Sequence, residues 1–466
     1  MPLSCRLARN FVASVAVLAA LAAAAQGLPP EVEQALDSAQ LPRDAVSVLV
    51  LPAEGGPPRV AWRADTAVNP ASVAKLVTTY GALELLGPTA TWSTPVYVEG
   101  PVRDGVLQGN VYIRGQGDPK LVMERLWLLL KRVQDLGIHR IAGDIVLDRS
   151  AFALPPQDPA AFDGQPLRPY NAAPEALLVN FKSVAITITP QGQQARISVE
   201  PHLAGVQWPA SVPLARGECG DWITPLRADF SKPERIRFAG SFPAACGEKT
   251  WQLAYPDPAA YTPRVIAAQW REIGGELAGQ VRDGRVPAGL QPAFEFASPP
   301  LAEVIRDINK YSNNVMAQQV FLTLSLRDKG TGTWEGSREV LRGWWRERFG
   351  GEPPVTENGS GLSRMESITP RQLGQLLQAA WASPLMPDFV ASLPALGLDG
   401  TLRRVRQNVG LAHLKTGSLN DVSAYAGYVH GPQGRRYILV AVANHPRAAQ
   451  LRPAVQALVD WTARLP

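Results

Sequence analysis

Residues 70–80 read PASVAKLVTTY, and Ser72-Val73-Ala74-Lys75 sits inside them. The pattern predicts a helix opened by Ser72, with Val73, Leu76, Val77, Tyr80 and Leu83 on its buried side and Gly87-Pro88 as its stop. On such a helix a serine and a lysine three residues apart share one face. The amine then lies within reach of the hydroxyl without help from the rest of the fold. Serine is a poor nucleophile until a base takes its proton, and a desolvated lysine can be that base. Taken alone the pair is weak. A helix N-cap serine and a solvated surface lysine are the plain alternatives.

Two later segments give the pair its weight: Ser312-Asn313-Asn314 and Lys415-Thr416-Gly417. Acyl transfer needs a nucleophile, a base, an oxyanion site and a means of fixing the substrate. Ser72 is the expected nucleophile and Lys75 the expected base. A free lysine has a pKa of ~10.4, so burial and a second cation, for which Lys415 is placed, must make its neutral form available. The Ser312 hydroxyl can relay a proton to a departing amine, and the Asn314 amide can hold both Lys75 and a substrate peptide group. Ser418-Leu419-Asn420 repeats the Ser-x-Asn pattern, and only position in the chain selects Ser312. Lys415 and Thr416, on an expected strand, would face the cleft and bind a carboxylate. Gly417 would leave room for backbone approach to the ligand. The backbone N–H groups of Ser72 and Ser418 would form the oxyanion hole.

Two glycine-rich segments carry less. NGSGLSR (358–364) is not a nucleophile elbow, since Asn358 stands where glycine is required. It reads as a tight turn whose Arg364 can clamp a carboxylate. GQGDPK (115–120) lacks both Walker and dinucleotide spacing and reads as a turn.

The chain of 466 residues is 46% hydrophobic and 19% charged, which is a globular composition with room for two or three domains. Residues 1–25 read as a cleaved secretory leader. Arg6 and Arg9 precede the apolar run 11–21, and Ala23-Ala24-Ala25 offers a cleavage site. An uncleaved anchor helix is the alternative, although the run is short for a span of ~20 residues. No other stretch is apolar enough to cross a bilayer. Removing Arg6 and Arg9 lowers the formal charge from +5 to +3, too little to argue for nucleic acid. Cys5 precedes the apolar run and is not placed as a lipid anchor. Cys219 and Cys246 remain, in the turn-like RGECGDW and PAACGEK. They form a disulfide in an oxidising compartment, or two free thiols. The five histidines are scattered without ligand spacing, so neither a metal site nor a cofactor is expected.

The expected fold class is mixed α/β. Segments 45–51 and 59–62 read as an antiparallel strand pair. From 96 to 292 the text turns to short strands, interrupted by one helix at 122–136. Helix-spaced apolar residues return at 300–326, 337–349 and 369–381. Strands follow at 412–417, 422–430 and 435–444, the last two joined by Gly431-Pro432-Gln433-Gly434, and 448–465 is a closing helix packed through Leu458 and Trp461. The expectation is one discontinuous domain, 26–95 with 294–466, carrying an inserted β-rich region, 96–293, of two subdomains.

PASVAKLVTTYGALELLG, PLAEVIRDINKYSNNVMAQQ, NGSGLSR and LKTGSLNDVSAYAGYV resemble the class C low-molecular-mass penicillin-binding proteins. These are the D-alanyl-D-alanine carboxypeptidase/endopeptidases of the penicillin-binding protein 4 type. The likeness extends to GQGDPKL, AGDIVLDRSAF and YNAAPEALLVNFKSV. It implies a β-lactamase/transpeptidase-like domain with an antiparallel sheet flanked by helices. It also implies a periplasmic serine enzyme, without metal, acting on peptidoglycan stem peptides and inhibited by β-lactams. A homodimer is left open. In the family, positions matching Arg364 and Asn420 help recognise the diamino acid side chain. Two rival readings remain. One is a β-lactamase, against which Glu175 to Asn180 misses the E-x-x-L-N spacing by one. The other is a non-catalytic wall-binding protein.

Overall fold

The stretch YILVAVA (437–443) shows no alternation of apolar and polar residues, and the computed structural model, which describes residues 27–466, supplies the reason. It lies in strand Arg436–Asn444, the middle strand of a five-stranded sheet, buried on both faces. The expected leader and Cys5 fall outside the described residues. The sheet order is Ala412–Leu419, Val422–His430, Arg436–Asn444, Val46–Pro52, Val60–Trp62, and every pairing is antiparallel. Successive side chains on a strand take opposite faces. Val46, Val48 and Val50 therefore pack with Leu36 of helix Pro30–Ser38 and Leu458 of helix Arg452–Ala463. Trp461 lies against the same core, as its sequence position suggests. Leu49 takes the other face, under helix Pro370–Ala382. A Cβ on Gly374 of that helix would come within 2.6 Å of Leu49 Cδ2, so glycine sets how closely helix and sheet approach. These segments make one compact unit, residues 27–74 with 364–466.

The second unit is residues 75–363. Helices Lys75–Leu86, Leu301–Tyr311, Asn314–Lys329 and Trp334–Phe349 pack on one another. The first is buried on all sides rather than along one stripe: Thr78, Thr79 and Ala82 are as inaccessible as the expected Leu76, Tyr80 and Leu83. The helical reading of 300–326 is corrected to two helices. Ser312 takes a left-handed conformation (φ 57°) that ends the first. The Asn313 side chain then accepts from Met316 N at 3.0 Å and caps the second.

The strand-rich remainder holds two larger sheets. One runs Val281–Asp283, Ile145–Asp148, Val111–Arg114, Ser93–Val98, Phe294–Ala297. The other runs Phe242–Pro243, Ser211–Ala215, Gln194–Glu200, Ser183–Gln191, Lys249–Ala254. Helix Met123–Gln134 matches the expected one. A second, Pro258–Glu272, is hidden in the sequence because Pro258 and Pro263 read as turn signals; Pro258 occupies the first turn, where proline is tolerated. No helix among the described residues is long and apolar enough to cross a membrane.

Cys219 and Cys246 form a disulfide within this unit, with Cα atoms 4.6 Å apart. Closing a loop with a sequence separation of 27 stabilises by roughly 3.5 kcal/mol in the chain-entropy model. A Cys219→Ser/Cys246→Ser protein should melt earlier in a thermal scan. A thiol count on denatured, unreduced protein should find no free thiol from this pair.

The 115–120 turn holds a buried carboxyl. Asp118 is 3% exposed; one oxygen accepts from Lys120 N at 2.8 Å and the other meets no hydrogen-bond partner among the described residues. Burial pushes its pKa up to about 6, against the Lys120 N–H and the charges of Arg125 and Lys120. A raised acid favours the folded state below its unfolded pKa, and that contribution is lost as pH climbs through the folded value. Asp118→Asn should therefore stabilise the protein at pH 7.5, by up to roughly 3 kcal/mol, and much less at pH 4. Thermal melts at the two pH values read the difference.

Candidate active site

The sequence-predicted residues fall into two groups, one in each unit. In the first unit Ser72 lies in a one-turn 3-10 helix, Ala71–Ala74, that runs directly into helix Lys75–Leu86. The expected α-helical start at Ser72 is thus a tighter turn. Its entry is strained, because Ala71 has φ 45°. Two residues that the sequence reading missed hold it. Asn69 Oδ1 accepts from Ala71 N at 2.8 Å. The Asn444 carboxamide clasps the Asn69 backbone at both ends, accepting from N at 2.8 Å and donating to O at 3.0 Å. Nothing but the three-dimensional pairing links positions 69 and 444.

Lys415, Thr416, Gly417 and Ser418 lie on Ala412–Leu419, the edge strand of the sheet. A short bridge, Ala395 to His413, covers the beginning of that edge. An edge strand offers backbone donors and acceptors to an extended peptide. Lys415 is fully buried and its Nζ donates to Thr416 O at 2.7 Å. Thr416 Oγ1 is 2.8 Å from Thr401 Oγ1, another partner absent from the sequence reading. A Cβ at Gly417 would sit 2.6 Å from Pro70 O and 3.0 Å from Ser72 N. The glycine therefore lets the strand run against the Ser72 turn. Arg364 and Asn420 also belong to this unit, and Arg364 Nη1 pairs with Asp421 Oδ1 at 2.5 Å, one residue beyond Asn420. Asn420 is exposed at the turn between two strands.

In the second unit Lys75 is fully buried. Its Nζ donates to Asn314 Oδ1 at 2.6 Å and to the backbone carbonyl of Ser360. The plain alternative of a solvated surface lysine is excluded. Asn314 is 6% exposed, and its Nδ2 donates to Tyr170 O at 3.2 Å, so both ends of the amide are held. Thr78, one turn along from Lys75, donates to Gly359 O at 2.7 Å. The 358–362 turn is knitted internally: Asn358 Oδ1 accepts from Ser360 N and Oγ, and Asn358 Nδ2 donates to Leu362 O. Gly359 (φ 74°) packs so closely on Phe321 that a Cβ would lie within 2.6 Å of that side chain. The sequence marks this segment as a tight turn bearing Arg364. It does not show that the turn delivers a carbonyl oxygen to the lysine. Ser312 occupies the helix break directly before Asn313 and Asn314.

A family model described as the D-Ala-D-Ala carboxypeptidase 3 (S13) family matches residues 28–465. The chain belongs to that family. A D-alanyl-D-alanine carboxypeptidase of Actinomadura sp. (strain R39) is 30% identical over 408 residues, covering 82% of this chain and 74% of the relative. Among solved structures, penicillin-binding protein 4 of Haemophilus influenzae superposes with a TM-score of 0.73 at 21% identity, covering 93% of this chain and 99% of its own. That protein has also been solved with a β-lactam bound. A predatory peptidoglycan endopeptidase from Bdellovibrio bacteriovorus superposes with a TM-score of 0.51 at 17% identity, covering 89% of this chain and 92% of its own. The S13 chain is therefore a hydrolase of the D-Ala-D-Ala carboxypeptidase type, with a transpeptidase-like fold and β-rich insertions.

Proposed function

We propose that this S13 enzyme cleaves D-Ala-D-Ala termini and D-Ala–diamino acid cross-links of peptidoglycan peptides through an acyl-enzyme on Ser72. The observation that carries the mechanism is the burial of Lys75 between two acceptors, Asn314 Oδ1 and Ser360 O. A neutral amine has two hydrogens and one lone pair. Acceptors for both of those hydrogens suit the neutral form, whose lone pair can take the serine proton. That is the geometry a base for the serine three residues earlier requires.

The remaining roles follow the chemistry of each group. Ser72 Oγ attacks the D-Ala carbonyl as its proton passes to Lys75. The N–H groups of Ser72 and Ser418 bind the developing oxyanion. Lys415 and Thr416 bind the terminal carboxylate of a D-Ala-D-Ala substrate, and of a β-lactam. Ser312 passes the proton to the departing amine while Asn314 holds Lys75 and a substrate amide. Arg364 and Asn420 face the diamino acid side chain, with Asp421 fixing the guanidinium. Water then releases the acyl group and restores Ser72. The domain built from 26–95 and 294–466 carries this chemistry, and the enzyme works in the periplasm after loss of residues 1–25. The disulfide is in keeping with an oxidising compartment.

The test is turnover by purified protein. A monomeric stem pentapeptide should lose one D-Ala, a cross-linked dimer should be split, and bound benzylpenicillin should be released slowly. Rapid penicillin hydrolysis with inert peptides would make it a β-lactamase. Peptide binding without turnover would make it a wall-binding protein.

A further inference from the structure

The Ser312 turn forms one wall of a cavity of about 810 Å³ that lies wholly within the second unit. The opposite wall is the end of the sheet that holds strand Ser183–Gln191. In that sheet Ala185 stands directly opposite Glu200 on one neighbour and Gln252 on the other. Residues paired in this way share a face. Val184 and Ile186 point into the hydrophobic core, so the row Gln252–Ala185–Glu200 points the other way, into the cavity. Glu124, in the first turn of helix Met123–Gln134, adds a second carboxylate to the rim. Tyr311, 67% exposed, supplies an aromatic surface beside Ser312.

The charges are unbalanced. Of the three lining carboxylates, Asp307 is neutralised by Lys120 at 2.6 Å. Glu124 and Glu200 have no ion-pair partner among the described residues. The cavity therefore combines aromatic and apolar surface with two uncompensated negative charges.

A leaving D-alanine is a single small residue and needs little of this space. Cavities of about 300–1,000 Å³ hold ligands several times larger. The end of the cavity at Ser312 to Asn314 is the side from which, in the reading above, a departing amine takes its proton. As the Ser72 Oγ–acyl bond forms, the acyl C–N bond breaks and the serine proton ends on the leaving nitrogen. In a cross-linked substrate that nitrogen belongs to a second peptide, and at neutral pH it takes a further proton from water to become an ammonium.

We propose that this cavity seats the leaving peptide arm of a cross-linked substrate, with Glu124 and Glu200 drawing the amine that cleavage releases. The proposal rests on the assignment of Ser312 as the proton relay. It makes Ala185, Glu124 and Glu200 specificity-determining positions that distinguish endopeptidase from carboxypeptidase action.

Two variants test it independently. Ala185→Trp fills the cavity, and Glu124→Lys/Glu200→Lys reverses its charge. For each, kcat and KM are measured for D-Ala release from a monomeric pentapeptide and for cleavage of a cross-linked dimer, alongside a thermal melt. The ratio of dimer cleavage to D-Ala release, each as kcat/KM, should fall at least tenfold in both variants. In the charge variant the change should sit in kcat for the dimer, because the amine exists only once the bond has broken. In the wild type, added salt should lower kcat for the dimer and not for the pentapeptide. Equal losses on both substrates, or an unchanged ratio, would overturn the cavity as the leaving-arm site while leaving the acyl-enzyme reading intact. A wild type that releases D-Ala but does not split the dimer would overturn both the cavity proposal and the endopeptidase activity. Inertness toward both substrates would sink the catalytic reading itself, and with it the relay on which the cavity rests.

Discussion

Benzylpenicillin should add one adduct to the wild-type protein, on the peptide that contains Ser72, and none to Ser72→Ala. Peptide turnover in Ser72→Ala should fall by about 10⁶-fold, the scale seen when the nucleophile of a serine peptidase is removed. The size of this effect follows from what the remaining groups can do. Oxyanion donors and substrate contacts persist without Ser72, but no covalent intermediate forms, and a water in its place is not positioned for attack. The fold should tolerate the change. Ser72 is partly exposed in a turn held from behind by Asn69 and Asn444, so a hydroxyl is lost without opening a core cavity. Mass spectrometry of the digested adduct, with a melt of the variant, checks both statements. A label on Ser312, Ser360 or Ser418 instead would refute the assignment.

The motifs were legible because each is local. Ser72 and Lys75 are three apart, and Lys415 to Ser418 are consecutive on one strand, so spacing alone carries their relation. The central strand was legible from seven apolar residues in a row. What the sequence could not express is contact across distance. Ser360 reaches Lys75 through a backbone carbonyl, which every residue possesses, so no side chain at 360 announces it. Asn69 and Asn444 are 375 residues apart, and each alone reads as an ordinary turn or strand-end asparagine. The break at Ser312 was hidden for a different reason. Apolar residues continue at helical spacing through both helices, and only the left-handed backbone at one serine interrupts them. Helix Pro258–Glu272 was obscured by prolines whose local meaning is a turn, although one sits in the first turn of the helix.

Lys75 and Lys415 are both fully buried lysines, yet their loss should differ in kind. Lys75→Ala removes the proposed base. Acylation by benzylpenicillin and by a neutral reactive ester should both fall, by about 10²–10⁴-fold, because every acyl donor needs the serine proton removed. The variant should also lose stability. Asn314 Oδ1 and Ser360 O are left without their donor, at roughly 1–3 kcal/mol for each buried acceptor that water does not reach. Lys415→Ala removes a cation that donates to Thr416 O and that is proposed to meet the substrate carboxylate. A hydrogen bond to a charged partner contributes ~1.5–3 kcal/mol, so kcat/KM for penicillin and D-Ala-D-Ala peptides should fall roughly 10–150-fold. The neutral ester carries no carboxylate and loses only the help that a second cation gives Lys75, so slow but detectable ester acylation should survive in this variant, reduced less than acylation by penicillin. The decisive measurement is the ratio of ester to penicillin acylation rates in each variant, taken below the lower melting temperature of the two. It should rise at least tenfold in Lys415→Ala and stay near the wild-type value in Lys75→Ala. A parallel loss toward both acyl donors in Lys415→Ala would mean that this lysine acts on the Ser72–Lys75 proton transfer itself, and the division between base and carboxylate anchor would have to be abandoned.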